Sequence, residues 1–162
     1  MLEKAILIAT RAHSGQIDKA GEAYILHPLR VMLSRKNETE RICAVLHDVV
    51  EDTEITLDYL RNEGFSEKVI CALDALTRRN NENYDEFIDR VISNKIASHV
   101  KLADLCDNMD LSRIKKPNKN DLERVKKYSK AKNRILETLK EEDSELNHTQ
   151  INECEPVPES CL

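Results

Sequence analysis

Four ionisable side chains follow or interrupt the most apolar stretch of this 162-residue chain. Leu46-His47-Asp48-Val49-Val50-Glu51-Asp52-Thr53 offers one imidazole and three carboxylates. Such groups are costly to bury unless they pair with one another or hold a metal. Residues four apart share a helix face, so a continuous helix here is expected to align His47 with Glu51 and Asp48 with Asp52. An isolated His-Asp dipeptide ordinarily marks a helix end with one satisfied histidine, but two further residues change the setting. His27 stands before Pro28 at an expected helix start, and Asp104 lies in the otherwise apolar run Val100-Lys101-Leu102-Ala103. Together His27, His47, Asp48 and Asp104 supply two nitrogens and two oxygens. That set suits Mn, Fe, Co, Ni or Zn better than Mg or Ca, which prefer oxygen throughout, and four ligands leave positions for water and substrate.

The elements that must carry these residues read as helices. Residues 1–13 place Leu2, Ala5, Ile6 and Ala9 at helical spacing before Ser14-Gly15. Residues 14–25 hold two of the three glycines and read as a loop, after which His27-Pro28 opens a second helix. Residues 38–50 are apolar around most of the circumference and predict a central, buried helix. Thr56 and Ser66 are expected to start two further helices, and the segments 82–93 and 94–108 continue the series. After Lys115-Lys116-Pro117, a charged last helix is expected from Lys119 to about Glu142, with Leu122, Val125, Tyr128, Ala131, Ile135 and Leu139 on its apolar stripe. The expected organisation is one all-α domain over residues 1–142, a bundle of about eight to ten helices, and an acidic, disordered tail over 143–162.

Composition narrows the function classes. Three glycines leave no room for a Gly-rich phosphate loop, and no apolar run approaches the ~20 residues of a membrane span. The start lacks the pattern of a signal peptide, so a cytoplasmic protein is expected. Five cysteines occur without C-x-x-C spacing, and Cys43, Cys71 and Cys106 lie in apolar segments where reduced core thiols are expected. The net charge is -5, but residues 141–162 carry seven Asp/Glu and no Lys/Arg, so the remaining body is slightly basic. Residues 113–134 gather ten Lys/Arg with Tyr128 as the one aromatic, too few stacking surfaces for nucleic acid. A solvated helix face accounts for most of them. His13 is expected to hydrogen-bond at a helix end, His99 to lie at the surface and His148 in the tail.

In their order along the chain, Ala12-His13-Ser14-Gly15-Gln16, Gly21 to Val31 around His27-Pro28, Leu46 to Thr53, Leu76-Thr77 and Val100 to Asp104 with Asn108 resemble one family. It is the HD-domain metal-dependent phosphohydrolases, specifically the alarmone hydrolases of the RelA/SpoT type and their small stand-alone relatives. The resemblance covers roughly residues 5–135. It implies a helical bundle holding one Mn ion on His27, His47, Asp48 and Asp104, and hydrolysis of the 3′-pyrophosphate of guanosine tetra- or pentaphosphate. It implies further that Glu51 and Asp52 orient or deprotonate the attacking water, and that Asn108, Lys19, Arg124, Lys127 and Tyr128 contact a nucleotide substrate. No synthetase domain is expected within a chain of this length.

Three departures bear on the substrate. Relatives carry Arg-Lys before the His-Pro segment, and that Arg helps sandwich the guanine base. This chain has Asp18-Lys19, and an acid offers no cation stacking. Asp104-Leu105-Cys106-Asp107-Asn108-Met109-Asp110 also replaces two arginines and a histidine of the family pattern. An adenine alarmone, a phosphorylated dinucleotide such as NADPH, or a mononucleotide cleaved by a phosphomonoesterase of another HD branch are the enzymatic alternatives. A regulatory module that binds nucleotide and keeps the metal for stability is the non-catalytic one. The oligomeric state is not set by these residues.

Overall fold

Helix starts in this chain are written in capping residues, and the computed structural model, which describes residues 1–114 and 116–152, uses them. Asn37 accepts from Glu40 N to start α3, Thr56 accepts from Tyr59 N to start α5, and Asn83 forms a capping box with Glu86 to start α7. In chain order the helices are α1 (Leu2–Ala12), α2 (Leu26–Leu33), α3 (Glu38–Leu46), α4 (Val49–Asp52), α5 (Leu57–Asn62), α6 (Glu67–Leu76), α7 (Tyr84–Ile92), α8 (Lys95–Met109) and α9 (Lys119–Asn152). A 3-10 turn over Leu111–Arg113 follows α8. No strand forms among the described residues. One antiparallel bridge, Ile17 to Ala23, pins the loop that leads to His27. Gly15 and Gly21 bend that loop at φ +80° and +85°, where a side chain would be strained.

Helix α3 occupies the centre and packs against α1, α2, α6 and α8. Its Cys43, Ala44, Val45 and Leu46 are fully enclosed, as the all-round apolar pattern of 38–50 requires. The expected single helix is nevertheless broken between Leu46 and Val49. The His47 ring Nδ1 lies 2.7 Å from the Ala44 carbonyl. That carbonyl would accept the Asp48 amide in a continuous helix, so the imidazole competes with the ladder at this point.

Helix α9 packs on α7 and α8 through Ala131 and Ile135, with Tyr128 and Leu139 partly buried. Leu122 departs from the expected stripe and is 53% exposed. Asp121 takes the inward position instead, accepting from Asn118 N at 3.0 Å and pairing with Arg124 at 3.2 Å. The first turn of α9 thus buries the carboxylate that accepts from its cap residue rather than a leucine. The helix runs past Glu142 into the segment expected to be tail, and residues 153–162, with Cys154 and Cys161, lie outside the described residues, as does the side chain of His148.

Two other expectations are corrected. Cys43 is buried, and burial pushes its thiol up to about 12, whereas Cys71 and Cys106 are exposed rather than in the core. His99 is half-buried and its Nδ1 lies 2.8 Å from Glu40 Oε1. His13 ends α1, buried, with Nδ1 2.8 Å from Gln16 and its ring 4.9 Å from that of Tyr24.

Between α6 and α7 the chain is braced by Arg90, which donates to Glu82 through two nitrogens at 2.8 and 2.7 Å and to the Thr77 carbonyl at 2.8 Å. Hydrogen bonding from Arg90 lowers Glu82 from 4.5 to about 2. A carboxyl that is more acidic folded than unfolded stabilises the fold above its unfolded value, and the contribution disappears as the pH falls from about 4.5 to about 2. Glu82→Gln is therefore expected to flatten the acid side of the stability curve. Urea midpoints measured from pH 6 down to pH 2.5 should converge with those of the parent at the acid end; a constant gap over the whole range would contradict the assignment.

Candidate metal centre

Three separate elements deliver the four expected ligands to one point. His27 comes from the first turn of α2, His47 and Asp48 from the break between α3 and α4, and Asp104 from the third turn of α8. His27 Nε2 lies 3.2 Å from Asp104 Oδ1 and 3.6 Å from Asp48 Oδ2. His47 Nε2 lies 3.1 Å from Asp48 Oδ2 and 3.5 Å from Asp104 Oδ1. Two donors each about 2.1 Å from a shared ion would stand about 3.0 to 3.5 Å apart at octahedral or tetrahedral angles. The observed spacings fit that arrangement. His27, His47 and Asp104 are buried, and the atoms they offer lie within 4.8 Å of one another.

The orientation of both rings is fixed from behind. His47 Nδ1 faces the Ala44 carbonyl and His27 Nδ1 faces Asp107 Oδ2, each at 2.7 Å. A carbonyl or carboxylate oxygen can only accept, so both Nδ1 atoms carry hydrogen and both rings turn Nε2 into the cluster, where the neutral form that binds a metal has its lone pair. His47 Nε2 is buried with no hydrogen-bond partner. A buried ring nitrogen facing two carboxylates is a donor set that fits a cation.

Electrostatics point the same way. Burial lowers the basicity of both histidines, yet the surrounding carboxylates overcome it. Hydrogen bonds with Asp104 and Asp107 lift His27 to about 9, and Asp48 and Asp104 raise His47. The cluster favours a positive charge at its centre strongly enough to reverse the effect of desolvation.

Two residues in this shell carry no signal in the spacing of the sequence. Lys101 Nζ lies 2.7 Å from Asp104 Oδ2, and its charge holds that buried carboxyl well below the usual range against the opposing effect of burial. Tyr24 donates its hydroxyl to Asp48 Oδ2 at 2.6 Å, and burial together with Asp48 pushes the phenol up. Lys101 sits one helical turn before Asp104, a relation visible only when the lysine is known to be turned inward. Tyr24 is brought in by the loop.

Beside the cluster opens a cavity of about 240 Å³ whose wall includes Tyr24, His27 and Asn108. Lys19, Arg124 and Tyr128 line it too, so four of the five residues expected to contact substrate share one cavity. Asn108 donates to Asp104 Oδ1 at 2.5 Å. Lys127, the fifth, faces a neighbouring groove, its Nζ 3.7 Å from the centre of the Tyr84 ring. Glu51 and Asp52 lie on α4 outside that cavity wall. Glu51 accepts from the Arg78 amide at 3.0 Å, and Asp52 stands 3.5 Å from the Tyr24 hydroxyl. Asp18 turns inward on its own loop, accepting from Ala20 N and Glu22 N, and meets Arg113 at 3.4 Å.

No protein-family model matches the chain. The bifunctional (p)ppGpp synthase/hydrolase SpoT of Escherichia coli K12 is 34% identical over 122 residues, which is 67% of this chain and 17% of that protein. Guanosine-3′,5′-bis(diphosphate) 3′-pyrophosphohydrolase of Aquifex aeolicus is 32% identical over 121 residues, with the same two shares. GTP pyrophosphokinase of Streptomyces coelicolor is 32% identical over 133 residues, 74% of this chain and 16% of its own length. The chain thus spans about a sixth of the length of these relatives. A solved structure described as a metazoan ortholog of SpoT that hydrolyzes ppGpp and plays a role in starvation responses matches with a TM-score of 0.66. It covers 85% of this chain and 84% of that one at 23% identity. The fold is the all-α HD-domain bundle. The chain is an HD-domain protein of the RelA/SpoT-like kind, as its motifs imply.

The Lys101–Asp104 pair gives a test of the cluster's electrostatics. Lys101→Met leaves Asp104 buried beside Asp48 with no fixed cation, a loss expected to cost about 3 kcal/mol in metal-free protein. Urea unfolding in EDTA measures it, and a change below about 0.5 kcal/mol would show that Lys101 does not hold the carboxylate.

Proposed function

We propose that this chain is a Mn-dependent phosphohydrolase that removes the 3′-pyrophosphate of guanosine 3′,5′-bis(diphosphate), converting ppGpp and water to GDP and pyrophosphate. The observation that carries the reading is the convergence of two imidazole lone pairs and two carboxylates beside a cavity with basic residues in its wall. The names of the relatives and of the matching structure supply the substrate.

A divalent ion held by His27, His47, Asp48 and Asp104 would polarise a phosphoryl oxygen and lower the pKa of its bound water. The protein's own side chains do the rest. Glu51, anchored by the Arg78 amide, and Asp52, beside Tyr24, orient the attacking water and take its proton. Asp52 is exposed at its edge, yet partial burial of its carboxyl and the Asp48 charge push it up, the direction that suits a group that accepts and returns a proton. Lys19 and Arg124 counter phosphate charge, Asn108 and Tyr128 position the ribose and phosphates, and Lys127 acts from the adjoining groove. As the water oxygen bonds to phosphorus, the bond to the ribose 3′ oxygen breaks and that oxygen receives a proton. No described helix is long and apolar enough to cross a membrane. A nucleotide substrate favours the reading of a cytoplasmic enzyme.

Replacing Glu51→Gln and Asp52→Asn together is expected to leave Mn²⁺ bound while turnover of ppGpp falls by at least about 10²-fold. Undiminished turnover would remove these residues from the mechanism. The product identifies the reaction. Pyrophosphate from ppGpp, in preference to adenine alarmones, NADPH or mononucleotides, is the expected result. Orthophosphate would assign the chain to a phosphomonoesterase instead, and tight nucleotide binding without turnover in added Mn²⁺ to a regulatory module.

A further inference from the structure

Asp107 stands where the metal cluster and the cavity wall meet. Its carboxylate lies 2.7 Å from His27 Nδ1, accepts from Arg30 Nε and Nη2 at 2.7 and 2.9 Å, and accepts from Arg113 Nη2 at 3.1 Å. Arg113 also donates to the Asp107 main-chain carbonyl at 2.9 Å, and its other terminal nitrogen meets Asp18 Oδ2 at 3.4 Å. His27, Arg113 and Asp18 all line the 240 Å³ cavity. One carboxylate therefore joins a proposed ligand, a wall residue and, through Arg113, the loop of residues 14–25.

The chemistry of each bond gives it a direction. A neutral imidazole has one N–H, and Asp107 engages it at Nδ1, so the lone pair is left on Nε2, which faces Asp48 and Asp104. The guanidinium of Arg113 donates in its own plane, so its contacts with Asp107 and Asp18 occupy edges and leave the flat faces unused by those bonds. Arg30 balances the charge of Asp107 and keeps it ionised.

We propose that Asp107 is a positioning residue that orients both halves of the site: it holds His27 with Nε2 directed at the metal position, and it holds Arg113 as the guanidinium wall against which the nucleotide lies. The second half rests on the phosphohydrolase reading above. The first half does not.

The test uses the full chain and reads binding rather than turnover. Mn²⁺ and GDP are titrated calorimetrically into the parent, Asp107→Asn, Arg30→Met and Arg113→Met, and each is melted without metal. Asp107→Asn is expected to bind Mn²⁺ about 10- to 100-fold more weakly and to lose GDP affinity as well. Arg113→Met should keep Mn²⁺ affinity within about threefold and lose GDP affinity about tenfold. Arg30→Met should lower the melting temperature and keep Mn²⁺ binding. Asp107→Asn with a lowered melting temperature and unchanged Mn²⁺ affinity would reduce Asp107 to a brace and overturn the first half. Unchanged GDP binding in Arg113→Met would overturn the second. A parent that binds Mn²⁺ but no GDP would contradict the nucleotide reading and the wall together, leaving the His27 half to stand on the Mn²⁺ titration. Where Asp107→Asn fails to fold, ¹⁵N NMR of the parent loaded with Zn²⁺ decides: a proton on His27 Nδ1 is expected, and a proton on Nε2 would overturn the orientation.

Discussion

Two buried imidazoles with their Nδ1 atoms engaged elsewhere must turn Nε2 into a space already occupied by carboxylate oxygens. That constraint organises the molecule. A site of this composition is unfavourable when nothing positive occupies it, because each group loses hydration on burial and the two carboxylates repel. The protein meets part of the cost with Lys101, fixed against Asp104, and with the Tyr24 hydroxyl on Asp48. What remains is the upward pull on the two histidines, whose direction is that of a site that still attracts positive charge.

Helices position most of the site. Helix α3 buries Ile42 to Leu46 without interruption, and it ends where this last buried turn meets the site. The same His47 ring that supplies Nε2 to the cluster ends the helix by taking the Ala44 carbonyl, so helix termination and ligand orientation are one hydrogen bond. Helix α8 contributes Lys101, Asp104, Asp107 and Asn108 from a single surface at spacings of three and four, which stacks the carboxylate, its cation and its neighbours along the axis. The 14–25 loop, turned by two glycines and closed by the Ile17–Ala23 bridge, delivers Tyr24 and leads into the first turn of α2, which carries His27.

Much of this was legible in the residues. The all-α class followed from glycine poverty and helical spacing, and the ligand types and their apolar surroundings singled out His27, His47, Asp48 and Asp104, which the fold brings together. The local geometry was less legible. A helix through 38–50 looked continuous because apolar periodicity reports burial and is silent about a side chain that intercepts a backbone carbonyl. Hydropathy ranks Leu122 above Asp121 for the inward position, yet the carboxylate that accepts from Asn118 N takes it. Cys71 and Cys106 sit in apolar segments on faces that point outward. Asp107 registered in the sequence only as the loss of a family histidine. Its partners Arg30 and Arg113 lie 77 and 6 residues away, and no spacing rule links the three.

The central claim is that one divalent cation belongs at the point where these four donors meet. Crystals grown with Mn²⁺ and measured at the manganese absorption edge test it most directly. The expected result is a single anomalous peak about 2 Å from His27 Nε2, His47 Nε2 and one oxygen each of Asp48 and Asp104. A peak on other residues, or an empty cluster in which His47 Nε2 is engaged by a protein group, would contradict it.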